Sequence, residues 1–250
     1  MQWKYQIWAK TMISLLLICG IFATLFYPNS LSDLHDMLPT DAGVGLDAGN
    51  EPTITIVIDA GHGGEDGGTQ SASGTFEKTV NLEIARLLDT MLRANGINSV
   101  MTRTEDILLY DRHADYVGHK KMLDLATRRK ITEETENAVF VSIHMNSFPE
   151  TKYHGLQVFY SPHHSLSQTL ASEIQTTTQK YLQPDNQRKV KKATSAIYLL
   201  DRLTCPAVLV ECGFLSNPAE AARFETSEYR QQVAWIIFCS IMSYISNQNA

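Results

Sequence analysis

The sequence predicts an α/β fold: a mostly parallel, twisted sheet with helices on both faces, preceded by an N-terminal membrane-spanning helix. Three observations carry this. Short apolar runs, rich in β-branched residues, recur at 53–58, 138–143 and 206–210, and each stops abruptly at a polar residue or a glycine turn. Between them lie longer stretches with apolar residues at helical spacing, and that alternation implies parallel strands covered on both sides. The first 27 residues differ from everything that follows.

Lys4 and Lys10 precede an uncharged run from Thr11 to Tyr27. Extended back through Ile7, Trp8 and Ala9, the run approaches the roughly 20 residues a spanning helix needs. Lysines before it and acids after it place the N-terminus in the cytoplasm and the rest outside the membrane. No convincing small-x-small cleavage site follows, so an uncleaved anchor is favoured over a signal peptide. Residues 28–52, with Pro28, Pro39, Gly43, Gly45, Gly49 and Pro52 among aspartates, read as a flexible linker. Residues 53–250 form the remaining domain.

That domain opens with a strand at 53–58, broken at Asp59, Ala60 and Gly61 and followed by His62, Gly63 and Gly64. Val80, Ile84, Leu87, Leu88, Met91 and Leu92 mark a helix starting near Thr79 and ending at Asn95-Gly96. Residues 98–102 read as a short strand, 103–122 as irregular, and 123–136 as a charged surface helix. A strand at 138–143 stops at His144. Another at 155–160 precedes an amphipathic helix over 166–182. The strand at 206–210 ends at Glu211, and an apolar helix over 229–245 closes the chain.

The 250 residues suit one domain plus appendages, and 44% hydrophobic with 19% charged residues excludes wholesale disorder. A net charge of -6 argues against a nucleic-acid partner. The four cysteines form no C-x-x-C pair, and Cys205 and Cys212 bracket a strand too long to bridge, so buried free thiols are expected.

His62, His144 and Glu211 each follow a buried strand. If those strands are parallel, all three emerge at one edge of the sheet, where open α/β sheets place their sites. His62 alone reads equally well as a turn residue. Glu77 is either a further ligand or an acid at a helix N-terminus. His113, His119, His154, His163 and His164 lack ligand spacing and read as surface residues.

Taken together, residues 59–64 (DAGHGG), 77–82 (EKTVNL), 102–103 (TR), 142–147 (SIHMNS) and 210–218 (VECGFLSNP) resemble the successive motifs of zinc-dependent N-acetylmuramoyl-L-alanine amidases of type 3. The likeness runs from about Ile54 to the C-terminus. It departs at Ala60, where proline is usual, and at Ser147, where alanine is common. The resemblance implies one Zn2+ held by His62, Glu77 and His144, with Glu211 as the catalytic carboxylate cleaving the muramoyl–alanine amide of peptidoglycan. Asn81 and Asn146 are expected at the substrate or as caps of local backbone; Arg188 and Lys191, in the basic run over 186–192 that matches the family's Arg-x-Val-Lys pattern, are expected at the stem-peptide carboxylates or on a solvated face. Asp59 is expected to orient His62, or else to accept turn amides; Arg103 is expected at a substrate carboxylate or in a structural ion pair. The anchor and the overall size are most like the sporulation members, which implies spore-cortex modification toward muramic-δ-lactam in the forespore intermembrane space, and an activating lipoprotein partner. A degenerate amidase that binds wall or partner proteins without cleaving, and a zinc carboxypeptidase-like peptidase, are the competing readings.

Overall fold

The computed structural model describes residues 53–248, apart from 112, 114 and 115. The expected membrane segment and linker lie outside the described residues. Among those described, no helix is long and apolar enough to cross a membrane.

The β-branched runs form β1 (Thr55–Ala60), β2 (Asn98–Met101), β3 (Ala138–Asn146) and β6 (Ala207–Phe214), joined by β4 (Gln157–Tyr160) and the two-residue β5 (Lys191–Lys192). Their order in the sheet is β2-β1-β3-β6-β4-β5. The first four are mutually parallel, β4 runs antiparallel to β6, and β5 runs parallel to β4. The sheet is thus mixed at one side. Residues 147–156, which link β3 to β4, hold no helix and are too few for the crossover that a parallel return requires.

Alternation along the strands sends side chains to two faces. Ile56, Ile58, Val139, Val141, Val208 and Val210 pack beneath α1 (Glu77–Ala94), α3 (Ser165–Tyr181) and α6 (Ser227–Gln248). Val57, Phe140 and Ala207 point the other way, against Leu199 and Leu200 of α4 (Tyr198–Arg202) and Leu125 of α2 (Lys120–Glu133). Each such buried aliphatic side chain contributes about 1.5–3 kcal/mol. The periodicity left α4 and α5 (Pro218–Phe224) unread, because neither is long enough to show a repeat. The cap of α5 was nevertheless in the sequence: Asn217 Oδ1 accepts from the amides of Ala219 and Glu220 at 2.9 and 3.1 Å, and Pro218 follows it.

The expected surface helix over 123–136 starts earlier, and it is more than a solvated face. Asp124, Arg128 and Thr132 lie along one buried stripe of α2. Arg128 is 1% exposed and its guanidinium reaches Asp59 Oδ1 at 2.6 Å and Asp124 Oδ2 at 2.8 Å. Thr102 Oγ1 and Ser142 Oγ also donate to the Asp59 carboxylate, at 2.8 and 2.6 Å. Burial by itself would raise that carboxyl, but Arg128 and Ser142 hold it below its ordinary value. The thiols of Cys205, Cys212 and Cys239 are free, Cys212 buried and the other two half-buried.

Replacing one partner of a buried pair strands the other. Arg128→Met is expected to cost about 3–5 kcal/mol at pH 7, read by denaturant unfolding. Because Asp59 is depressed in the folded state, its contribution is present above the unfolded carboxylate value of about 4 and is lost as pH falls. The deficit of the variant should therefore narrow below that pH, and a pH-independent deficit would contradict the pair.

Candidate metal and catalytic site

β1, β3 and β6 end level because their register is parallel: Ala60 pairs with Ile143, and His144 with Glu211. His62 stands two residues past the end of β1, and its φ of 62° lies in the left-handed region that side chains other than glycine rarely adopt. Glu77 opens α1, with 3% of its surface exposed. Its Oε1 lies 3.2 Å from His62 Nε2 and 3.0 Å from His144 Nδ1, while Met145 N donates to the same oxygen at 3.0 Å. Its Oε2 accepts from Thr69 N at 2.9 Å, which fixes the carboxylate plane.

One ligand atom from each of His62, Glu77 and His144 lies within 4.8 Å of the other two. Donors sharing a tetrahedral ion at about 2.0–2.1 Å stand about 3.3 Å apart, so the His–Glu separations fit such an ion. The surroundings leave room for little else. A Cβ on Gly61 would stand 2.3 Å from the His144 ring, and one on Gly68 would stand 2.5 Å from Glu77 Oε2. Those glycines let the backbone close over the ligands.

Glu211 is half-buried, and its Oε2 is fully buried and has no hydrogen-bond partner among the described residues. Burial pushes its carboxyl up to about 7; His144 and His62 oppose the shift and Glu77 adds to it. An orphan carboxylate oxygen beside three convergent donors is a group held ready for a proton.

Asp59 does not orient His62, since its oxygens are taken by Arg128, Ser142 and Thr102. That place belongs to Asp66, whose Oδ2 is 2.9 Å from His62 Nδ1, off the line of a well-formed hydrogen bond. The signal was an acid four residues on, in the same turn. Asn81, expected at the substrate, has no exposed surface: its Nδ2 donates to Gly61 O at 3.1 Å beneath the turn. Asn146, half-buried at the end of β3, accepts from Ser147 N at 2.8 Å. Arg188 is half-buried beside Gln157, the register partner of Glu211, donating to Gln157 Oε1 at 3.0 Å with its guanidinium over Phe214. Lys191 is exposed on β5. Arg103 forms no contact with an acid in the site; it is buried among carbonyls, and burial with Arg128 nearby pulls it down to about 10. His164 is not simply a surface residue, since its Nδ1 caps α3 by accepting from Leu166 N at 3.2 Å.

Burial would lower the His62 imidazole, but Asp66 and Glu77 outweigh it and raise it to about 9 without metal. A metal bound at His62 Nε2 would have to displace that proton. Zn2+ titrated at pH 7.5 in buffers of different ionisation enthalpy should therefore release about one proton, a release that fades above about pH 10. Equal calorimetric heats in all buffers would contradict a protonated His62 at that pH.

The family described as N-acetylmuramoyl-L-alanine amidase matches residues 56–243. The germination-specific N-acetylmuramoyl-L-alanine amidase of Bacillus subtilis is 34% identical over 193 residues, covering 77% of this chain and 80% of its own. The CwlD amidase of Clostridioides difficile, solved in complex with the GerS lipoprotein, superposes with a TM-score of 0.73 at 36% identity, over 78% of this chain and 99% of that one. AmiC2 of Nostoc punctiforme, an N-acetylmuramoyl-L-alanine amidase, gives 0.65 at 30% identity, over 77% and 97%.

Proposed function

The chain belongs to the N-acetylmuramoyl-L-alanine amidase family and acts as an amidase on peptidoglycan, and on that premise we propose how its site works and where. The observation that carries the reading is the convergence of His62, Glu77 and His144 beside the unpaired Glu211 Oε2. Two imidazoles, one carboxylate and a vertex left for solvent make a donor set suited to catalytic zinc. Zinc bound there would supply Lewis acidity, bringing water toward ionisation at neutral pH and polarising the scissile carbonyl.

The protein's own groups do the rest. Glu211 takes the proton of the attacking water and passes it to the departing alanine nitrogen. Burial lifts this carboxyl in the metal-free site, and a bound cation would draw it back toward the carboxylate form that accepts the proton. Glu77 keeps its charge through the two histidines, and Met145 N and Thr69 N hold its two oxygens still. The substrate bond is that between N-acetylmuramic acid and the L-alanine of the stem peptide.

The likeness to the germination-specific amidase supports a role in spore-cortex modification, with stem-peptide removal preceding muramic-δ-lactam formation. The CwlD–GerS complex supports a lipoprotein partner. The apolar run over 11–27 supports membrane attachment with the catalytic domain outside the cytoplasm.

Glu211→Gln should keep its zinc and lose cleavage by about a hundredfold to ten-thousandfold. Purified sacculi digested with the parent chain should yield free lactyl ends. Trimmed peptides with that amide intact, or full activity in the variant, would overturn the assignment.

A further inference from the structure

Arg103 is 2% exposed, and each acceptor it reaches among the described residues is a backbone carbonyl. Its Nε donates to Ala60 O at 2.8 Å and its Nη1 to Glu105 O at 3.0 Å. Its Nη2 bridges two more, Gly61 O at 3.0 Å and Lys78 O at 2.9 Å. A guanidinium buried without a carboxylate in contact is costly, and general stability offers cheaper solutions. The identity of the carbonyls explains the expense. Gly61 precedes the ligand His62, and Lys78 follows the ligand Glu77.

We propose that Arg103 is a positioning residue for the metal site, tying the backbone before His62 to the backbone after Glu77 through one nitrogen. Arg128 completes the hold, with Nη1 on Ala60 O at 2.8 Å and Nη2 on His62 O at 2.7 Å, so three successive carbonyls end on guanidinium groups. These bonds stabilise the left-handed turn at His62. The planar fork of arginine reaches four acceptors at once, which the point charge of lysine does not.

This inference rests on the zinc reading above. The test compares zinc affinity, by competition with a chromophoric chelator, in the full chain and in its Arg103→Lys and Arg103→Gln variants. Ile84→Val serves as a reference core truncation away from the ligands. Circular dichroism first establishes that each metal-free protein is folded, and the visible spectrum of the cobalt-substituted proteins reports coordination geometry.

Both Arg103 variants should bind zinc about 10–100-fold more weakly, with altered cobalt spectra, while Ile84→Val binds as the parent does. Affinities within twofold of the parent and unchanged spectra would overturn the positioning role. An equal loss in Ile84→Val would also overturn it, by showing that affinity merely follows stability. A parent chain that binds no zinc would overturn the metal reading itself, and this inference with it.

Discussion

Parallel register is the constraint on which the rest of the molecule depends. β1, β3 and β6 are hydrogen-bonded in one direction, so they finish at the same edge, with Ala60 beside Ile143 and His144 beside Glu211. A slip of one residue would turn His144 or Glu211 to the opposite face and separate the donors. That slip would also move Ile56, Val141 and Val210 out from beneath α1, α3 and α6 and onto the smaller cluster on the other face, which Val57, Phe140 and Ala207 already fill. The core and the chemistry are therefore fixed by the same pairing.

Three aligned strand ends leave the turns above them to be held. The turn after β1 carries the left-handed His62 and two positions where any Cβ would collide with ligand side chains. Its carbonyls find no strand partner, and Arg103 and Arg128 supply the donors. Burying two cations side by side is unfavourable, and Asp59 and Asp124 offset it for Arg128. Asp59 thus serves the site through an arginine and leaves the histidine to Asp66.

The reversal at β4 gives the site its asymmetry. Gln157 comes to lie beside Glu211, and Arg188 beside Gln157, on the side of the sheet away from the histidines. His62, Glu77 and His144 thus occupy the β1–β3 side, while Glu211 stands on β6, between His144 of β3 and Gln157 of β4. Cationic Arg188 and Lys191 stand on that second side.

The sequence by itself determined the α/β class, the principal strands and long helices, and the strand ends that carry His62, His144 and Glu211; its motif resemblance added Glu77, which meets the two histidines. Local periodicity encodes strand and helix, and a strand that ends at a metal-type residue advertises its edge. It did not determine that β4 runs backwards, since direction depends on which neighbour a strand finds. Nor did it reveal Arg128, which reads as one more charge on a polar helix and lies 69 residues from the aspartate it pairs with. Asp59 and Asn81 were placed one role away from the truth for the same reason. Burial and hydrogen-bond partners are properties of the packed chain, and only tertiary structure decided whether a polar side chain faces the substrate or holds up the backbone beneath it.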